Sequence, residues 1–472
     1  MHSLRVQAKL VVVSAKEILQ PGQIVIRQGR IVEVVAGQPL TPDVDLGDTV
    51  LIPGLVNAHT HLEFSDLKQP LPAGEHFPQW ISQVVAYRRQ RPEAGLSPLS
   101  IERAGQDVEQ GVNGPLENAI ESGLHEAFCS GTALLGDIVT QPWQRGTLPS
   151  SNRFYESVFG SQTLQVPAEW LSHLRPLCFP RIVAFAEVIG LSTKRLQDSW
   201  RWAEALVQTS GKDSHIPTCS VSEGTQAENE MLLALGVSPH APYSLHFPSA
   251  LEALAQLPDD CLLAMHIAES LDELQWLEHG DGAFGEAYQR LGLSVEVPPP
   301  TVDECIALLS SRRRGLLIHG NYLTTKQIGQ VARAPGISVV FCPSTHRHFG
   351  HTPYPLTALQ AAGIPLLLAT DSRASNPTLS LWDEVSCARS AHPDVPPKFW
   401  LNAVTLAPAR ALGQAEHFGT LHVGKWASAV ALPARRNWTS DNLLAELCGH
   451  TAEELSMHPL VSRILSNGIK CF

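Results

Sequence analysis

Short apolar runs alternate with longer amphipathic stretches through the middle of the chain. Eight of the apolar runs have the length of buried strands: Leu51–Ala58, Thr132–Asp137, Ile182–Ile189, Leu235–Ser238, Leu262–His266, Leu316–His319, Ile337–Cys342 and Ile364–Asp371. Between them lie predicted helices, among them Phe77–Arg91, Leu116–Cys129, Arg195–Val207 and Val302–Ser310. Alternating strands and helices are typical of a parallel sheet, and eight such units predict a (β/α)₈ TIM barrel. Residues 141–180 are longer than a single connection between a strand and a helix requires. They contain another strand-like piece, Arg153–Phe159, which leaves the choice of the third strand open.

Both ends of the chain have the pattern of short strands and turns. Val6–Val13 and Arg30–Val35 are apolar at the start, and Ala427–Leu432 is apolar near the end. Each block is too small to bury a sheet by itself. The pattern therefore predicts a small β-sandwich domain, made by residues 1–53 and 412–472, beside a barrel of residues 54–411. Two separate hairpins at the edge of the barrel are the alternative.

Composition favours an enzyme of small molecules. Hydrophobic residues make up 44% of the 472 residues, which is enough for a large core, and the net charge of -12 opposes binding to nucleic acid or anionic lipid. No apolar run reaches the length of a membrane helix, and Leu10–Val13 is too short for a signal-peptide core. The 9 scattered cysteines include no CxxC pair, so a cytoplasmic location is expected. The oligomeric state is left open.

Histidines and acidic residues follow the predicted strands. The chain has 20 histidines, so about one His-x-His pair is expected by chance, and two occur, His59/His61 and His346/His348. The first pair directly follows a strand, and residues i and i+2 of an extended chain point to the same face. Both rings can therefore reach one ion. Further polar residues end or follow later strands: His240, His266, Glu269, His319 and Asp371. In a barrel these ends share the face where active sites are built.

These motifs resemble those of a known superfamily. The run Leu51–His61 is similar to the first-strand signature of the amidohydrolase superfamily. Pro239–Tyr243, His266–Glu269 and Thr370–Ser372 resemble the branch that contains cytosine, guanine and S-adenosylhomocysteine deaminases and chlorohydrolases. The stretch His-Thr-His-Leu-Glu is similar to aminodeoxyfutalosine deaminases in particular. The similarity covers nearly the whole chain.

The resemblance implies a metal site with four protein ligands: His59, His61, His266 and Asp371. Three neutral imidazoles and a carboxylate suit Zn²⁺, with Fe²⁺ or Mn²⁺ as alternatives, and leave one position for water. Binuclear members of the superfamily bridge two ions with a modified lysine at the end of the fourth strand. This chain has Ser238-Pro239-His240 there, so one divalent ion is expected.

The resemblance also implies roles in catalysis. A bound ion lowers the pKa of water toward about 7, and Asp371 is suited to take the proton from it. Glu269 is expected to protonate a ring nitrogen of the substrate, and His319 to orient the hydroxide or stabilise the intermediate. His240 is expected to contact the substrate. The predicted enzyme is thus a hydrolase of carbon–nitrogen bonds that deaminates a purine-like or other amino-substituted N-heterocycle.

The end of the seventh strand departs from the branch. Thr345-His346 stands where Ser-Asn is common, and Thr345 or His346 is predicted to lie near the substrate. A second metal site at His346, His348 and His351 is the alternative. Glu63 could contact substrate or support the site from behind. Arg373 could reach an anionic substrate group or face solvent.

Other functions use the same residues. Hydrolytic dechlorination of a triazine needs the same hydroxide but has a different leaving group. The opening of a cyclic amide is another alternative within the hydrolases. A protein that binds metal and ligand without turnover is the alternative outside the enzymes. Release of ammonia distinguishes a deaminase from all of these.

Overall fold

The computed structural model describes residues 3–37, 40–90, 114–160, 166–208 and 230–467. Its strands are β1 (Leu4–Ala8), β2 (Leu10–Ser14), β3 (Glu17–Leu19), β4 (Gly22–Arg27), β5 (Arg30–Ala36), β6 (Val44–Asp45), β7 (Thr49–Pro53), β8 (Leu55–Thr60), β9 (Thr132–Val139), β10 (Arg181–Val188), β11 (Leu232–Pro239), β12 (Leu263–Ile267), β13 (Gly315–His319), β14 (Ile337–Phe341), β15 (Leu366–Leu368), β16 (Ala429–Pro433) and β17 (His458–Pro459).

The helices lie mainly between the strands from β8 onward. They are α1 (Phe77–Gln90), α2 (Pro115–Cys129), α3 (Ser151–Phe159), α4 (Ala168–Leu174), α5 (Thr193–Gln208), α6 (Phe247–Leu254), α7 (Leu271–His279), α8 (Ala283–Arg290), α9 (Val302–Ser310), α10 (Thr325–Ala332), α11 (Pro343–His348), α12 (Leu356–Ala361), α13 (Leu381–Ala391), α14 (Pro397–Ala403), α15 (Leu406–Ala411), α16 (Leu443–Leu447) and α17 (Leu460–Asn467). Arg91, predicted to end the first helix, lies outside the described residues. None of the helices described is long and apolar enough to cross a bilayer.

Strands β8 to β15 form a nearly closed barrel, which confirms the predicted fold class. Each strand pairs in parallel with the next along the chain. Alternate residues enter two separate apolar clusters, as Leu55 and Val56 do, because successive side chains of a strand point to opposite faces. The first and last strands meet where Thr60 bridges to Asp371, and the Asp371 amide donates to the His59 carbonyl at 3.2 Å.

The chain ends add two further sheets. One has the order β17-β16-β7-β2-β3 and so combines strands from both ends, and the other has the order β5-β4-β1-β6. The predicted strand Leu51–Ala58 is in fact two strands, one in this shared sheet and one in the barrel. Gly54 separates them, and a Cβ there would lie 2.7 Å from the Cβ of Ala133, so only glycine lets the chain pass. The exact domain boundaries stay predictions.

The segment Arg153–Phe159 was expected to be strand-like, and that expectation is wrong. It belongs to helix α3, whose first turn is capped because the Ser150 hydroxyl accepts a hydrogen bond from the Arg153 amide at 3.2 Å. Only Phe154 is fully buried on this helix. The third barrel strand is β10, close to the predicted Ile182–Ile189.

The shared sheet predicts that damage to the C-terminal strand spreads to the start of the chain. Leu432, 1% exposed, pairs with Val50 across β16 and β7. We expect Leu432→Ala to cost roughly 2–5 kcal/mol, because it leaves a cavity in the core. Hydrogen exchange should speed up in β2 and β7 as well as in β16. The control Leu251→Ala, at a side chain 43% exposed, should change stability by less than about 0.5 kcal/mol. Faster exchange confined to residues after 412 would contradict the shared sheet.

Candidate active site

Four imidazoles from three strand ends meet at one face of the barrel. His59 lies near the end of β8 and His61 directly after it, while His266 and His319 lie at the ends of β12 and β13. The ring centroid of His59 is 4.9 Å from that of His61, 5.0 Å from that of His266 and 6.1 Å from that of His319. All four residues are buried. The structure thus brings together histidines that are up to 260 positions apart in the chain.

Asp371 completes this cluster from the last strand. Its Oδ1 lies 3.4 Å from Nε2 of His59 and 3.9 Å from Nε2 of His61. Its Oδ2 accepts a hydrogen bond from the Ser375 hydroxyl at 3.0 Å. Burial alone would raise the pKa of Asp371, but the close approach of the His59 ring, followed by those of His319 and His61, holds the pKa well below its usual value. The carboxylate is therefore ionised at neutral pH.

Two imidazoles of the cluster, those of His61 and His266, are driven toward the neutral form. Burial, together with the neighbouring His59, holds the pKa of His61 and of His266 well below the usual value. Nδ1 of His266 lies 2.9 Å from the carbonyl oxygen of His240 and donates to it in the neutral ring. This hydrogen bond leaves Nε2 of His266 as a free lone pair, which is how proteins orient a metal-binding histidine.

Several buried nitrogens of the cluster lack partners. Both ring nitrogens of His59, and Nδ1 of His61, have no hydrogen-bond partner among the described residues. Unsatisfied buried polar atoms are rare, so a missing ligand is a direct explanation. Three groups offer ligand atoms within 4.8 Å of one another: His59 with His61 and His266, His59 with His319 and Asp371, and Glu187 with His240 and His266. The site can hold a metal ion.

Glu269 lies beside the cluster on a turn whose backbone is fixed by hydrogen bonds to Glu273. Its Oε1 is 3.4 Å from Nε2 of His319. The buried carboxylate of Glu273 accepts hydrogen bonds from the amides of Ala268 at 2.9 Å and Glu269 at 2.7 Å. Burial, and then the charges of Asp371 and Glu273, raise the pKa of Glu269 well above its usual value. A protonated Glu269 is able to donate a proton at neutral pH.

The cluster forms the floor of a cavity of about 360 Å³. His61, His266, Glu269, His319 and Asp371 all line it. Its walls are mainly apolar and aromatic and include Phe64, Trp80, Val84, Tyr243, Phe284 and Tyr288. An apolar cleft with a few convergent polar groups is the usual form of a small-molecule site.

Comparison with known proteins identifies the family. The profile of the amidohydrolase family matches residues 50–447, which is well over half of the chain. The chain belongs to the amidohydrolase family. This confirms the resemblance found in the strand-end motifs.

Relatives of this amidohydrolase include deaminases. The aminodeoxyfutalosine deaminase of Nitratiruptor sp. is 25% identical over 348 residues, which cover 74% of this chain and 69% of the relative. The 5-methylthioadenosine/S-adenosylhomocysteine deaminase of Nitratidesulfovibrio vulgaris is 25% identical over 450 residues, which cover 91% and 83%. The crystal structure of Helicobacter pylori aminofutalosine deaminase superposes with a TM-score of 0.65 at 20% identity, over 95% and 96% of the two chains. At that identity the structural likeness shows the shared fold.

The residues after β14 that the sequence singled out are not among those that line the cavity of this amidohydrolase. The Thr345 hydroxyl is 2.9 Å from that of Ser375, so it supports Asp371 from behind. Nδ1 of His346 lies 3.2 Å from the side-chain oxygen of Asn321. Neither Thr345 nor His346 is among the cavity-lining residues, and their contact with substrate stays a prediction. His346, His348 and His351 belong to none of the metal-ligand groups found in the described residues.

Glu63 and Arg373 form internal ion pairs. Glu63 is buried, and its Oε1 lies 2.7 Å from Nη2 of Arg88. Arg373 donates from Nη1 to both carboxylate oxygens of Glu126, at 3.0 and 3.2 Å. Of the roles that the sequence left open for Glu63, support of the site through this buried ion pair fits the structure best. Arg373 anchors the loop after the last barrel strand to helix α2.

Sequence analysis missed two charged residues beside the site. His240 lines the cavity, and its Nε2 lies 3.8 Å from Oε1 of Glu187, near the end of β10. Oε2 of Glu187 is 3.5 Å from Nη2 of Arg88, which also lines the cavity. Burial raises the pKa of Glu187 to about 7. The one signal in the sequence was a lone carboxylate at the end of an apolar strand, in Ala184–Ile189.

The turn that carries Glu269 predicts a stability effect of Glu273. Substitution Glu273→Ala leaves two buried amides without an acceptor, which costs roughly 1–3 kcal/mol for each. We expect a lower free energy of unfolding in chemical denaturation. The control is Glu278→Ala on the same helix, where the side chain is 76% exposed. Equal stability of the two variants would show that the Glu273 contacts do not hold the turn.

Proposed function

We propose that this amidohydrolase is a metal-dependent aminohydrolase that deaminates an adenine nucleoside or a related amino-substituted N-heterocycle. The products are the oxo-heterocycle and ammonia. The observation that carries the proposal is a buried carboxyl group, Glu269, which lies 3.4 Å from His319 and lines the same cavity as a ligand set for a divalent ion. Deamination needs both a proton donor for the ring and a source of hydroxide.

The residues present fit one divalent ion. His59, His61 and His266 supply neutral nitrogens and Asp371 an ionised oxygen, which suits Zn²⁺, with Fe²⁺ or Mn²⁺ as alternatives. When bound, such an ion supplies hydroxide at neutral pH by lowering the pKa of a water molecule toward about 7. The neighbouring third ligand group shares His266 with the first, so occupation of both by separate ions is unfavourable. One ion per chain is therefore proposed.

The chain's own residues move the protons. Asp371, already ionised, accepts the proton from the attacking water. Glu269 donates its proton to a ring nitrogen, which makes the amino-bearing ring carbon able to accept hydroxide. His319, next to Glu269, donates or accepts a hydrogen bond at the oxygen being added. The proton taken up by Asp371 then passes to the amino group, the carbon–nitrogen bond breaks and ammonia leaves, and the proton of the added hydroxyl returns to Glu269 as the carbonyl forms.

The substrate class follows from the cavity and the relatives. Aromatic walls suit a planar heterocycle, and the names of several relatives contain adenosine. Dechlorination of a triazine uses the same hydroxide, but chloride leaves as an anion and needs no proton. An amine leaves only after it gains a proton, here the one that Asp371 takes from water, so a proton-accepting Asp371 beside a ring-protonating Glu269 favours the loss of an amine. A binding protein without turnover has no need for this proton donor.

A screen for released products tests the proposal. Purified protein loaded with Zn²⁺ is incubated with adenosine, 5′-methylthioadenosine, S-adenosylhomocysteine, adenine, a chlorotriazine and a cyclic amide. We expect ammonia from at least one adenine compound and no chloride. Release of chloride from the triazine would contradict the proposal and indicate a dechlorinase. Ring opening of the amide without ammonia would indicate a cyclic amidohydrolase. Metal-loaded protein with tight ligand binding and no product would favour the binding role.

The metal site makes a quantitative prediction. Wild-type protein should hold close to one divalent ion per chain by elemental analysis. Replacement of His59 or Asp371 by Ala should remove it, because each variant loses a proposed ligand, and activity should be lost too. The control His348→Ala should retain the ion, since this ring contacts the Leu71 carbonyl instead. Full metal content in the His59 and Asp371 variants would refute the ligand set. Two tightly held ions per wild-type chain would instead support the alternative of a second metal site around His346 and His348.

Glu269 is predicted to serve chemistry and not metal binding. Glu269→Gln keeps the size of the side chain but removes the transferable proton. General acids contribute typically 10²–10⁴-fold, so kcat should fall by about that factor while metal content stays near wild type. Glu278→Gln, at an exposed position, is the matched control. Loss of the ion from Glu269→Gln would make Glu269 a ligand or its support, and a normal kcat would show that the proton comes from elsewhere.

A further inference from the structure

Arg88 is a cation in the wall of an otherwise mainly apolar cavity. It follows Trp80 and Val84 at intervals of four residues on α1, so the three side chains share one face of the helix, and all three line the cavity. The Arg88 side chain is only 26% exposed. The proposed deamination gives this residue no role.

Glu63 fixes the guanidinium of Arg88 along one edge. Nη2 donates to Oε1 of Glu63 at 2.7 Å and Nε donates to Oε2 at 3.3 Å, a two-point contact that sets both position and plane. The guanidinium also lies over Phe64, 5.2 Å from the centre of the ring. Among the residues that the structure describes, Nη1 has no hydrogen-bond partner. The fixed group therefore presents a free donor.

Arg88 stands next to the ligand cluster but outside it. Glu187 lies between Arg88 and His240. Its Oε2 is 3.5 Å from Nη2 of Arg88, and its Oε1 is 3.8 Å from Nε2 of His240. The ring of His240 is in turn 5.1 Å from that of His266. A heterocycle that reaches the cavity floor would thus place its substituent, and not its amino group, beside Arg88.

The charges around Arg88 define what it can bind. Burial alone would lower the pKa of Arg88, but the carboxylates of Glu63 and Glu187 raise it overall, so the guanidinium stays charged. Glu63 already neutralises this charge, and Glu187 adds negative charge whenever it is ionised. An anionic group on the substrate would meet these carboxylates at close range. An uncharged oxygen, such as a hydroxyl, accepts a hydrogen bond from Nη1 without that repulsion.

We propose that Arg88 is a specificity-determining residue that donates a hydrogen bond from Nη1 to an uncharged oxygen on the substituent of the heterocycle, as in the hydroxyls of a nucleoside. This inference rests on the proposed function and deepens it. It distinguishes nucleosides from free bases and from substrates with an anionic group at this point.

The test compares Arg88→Lys with wild type on three adenine compounds. Adenosine carries uncharged hydroxyls, 9-ethyladenine has an apolar substituent without oxygen, and adenosine-5′-carboxylic acid adds an anion. Lysine keeps the charge beside Glu63 but loses the planar group and its free Nη1. Hydrogen bonds to charged groups predict a fall of about 10- to 100-fold in kcat/KM for adenosine. For 9-ethyladenine, measured as substrate or as competitive inhibitor, we expect less than about a 3-fold change.

Arg201→Lys is the matched control, because Arg201 is 73% exposed on α5, is not among the cavity-lining residues and should leave all three values near wild type. An equal loss for adenosine and 9-ethyladenine in Arg88→Lys would make Arg88 purely structural and overturn the proposal. A wild-type preference for the carboxylate, lost in Arg88→Lys, would overturn it in favour of an anion site.

Two further measurements keep the result decisive. If Arg88→Lys unfolds, the double variant Arg88→Gln with Glu63→Gln replaces the ion pair by two neutral amides, and the same comparison applies. If wild type releases no ammonia from any of the compounds, the proposed function fails. Calorimetric binding of the three compounds to wild type and variant then decides on Arg88 separately, because a hydroxyl contact still predicts weaker binding of adenosine alone.

Discussion

The junction between the first and last barrel strands is the contact on which the site depends. The Asp371 amide donates to the His59 carbonyl, and the Thr60 hydroxyl donates to the Asp371 carbonyl at 2.9 Å. Earlier on the same two strands, the side-chain amide of Asn57 donates to the Thr370 hydroxyl at 2.7 Å. These backbone and side-chain bonds bring the barrel close to closure and, by the same geometry, place a carboxylate from one end of the domain against imidazoles from the other. The grouping of the proposed metal ligands is thus a consequence of barrel closure.

The rest of the site is held in a conformation that the backbone does not favour. Ala268, His319 and Asp371 have φ values of 53°, 68° and 55°, in the left-handed region that costs non-glycine residues roughly 1–3 kcal/mol each. All three lie where a barrel strand turns away from the sheet, so the strain aims Glu269, His319 and Asp371 at the cavity. Buried acceptors such as Glu273 offset this cost by satisfying the amides of the turns. Precise placement of these side chains therefore depends on residues such as Glu273, which is not among the residues that line the cavity.

Much of this architecture could be predicted from the sequence, because the barrel strands are short apolar runs and several of them end in or lead directly to a histidine or an acidic residue. The ring cluster and Asp371 were predictable for that reason. The helix at Arg153–Phe159 was not, since its first turn depends on a Ser150 cap that hydropathy does not register. Arg88 was not identified either. It lies 27 positions after His61, and only the packing of α1 over the strand ends reveals that it reaches Glu63 and Glu187.

Metal-dependent deamination at the closure of the barrel is the central claim, and stepwise reconstitution tests it most directly. Protein stripped of metal by a chelator is titrated with Zn²⁺ while ammonia release from the best adenine compound is measured. The account predicts no turnover in the metal-free protein and a linear rise that stops at one equivalent of Zn²⁺ per chain. Ammonia release that persists without metal, or that keeps rising toward two equivalents, would contradict it.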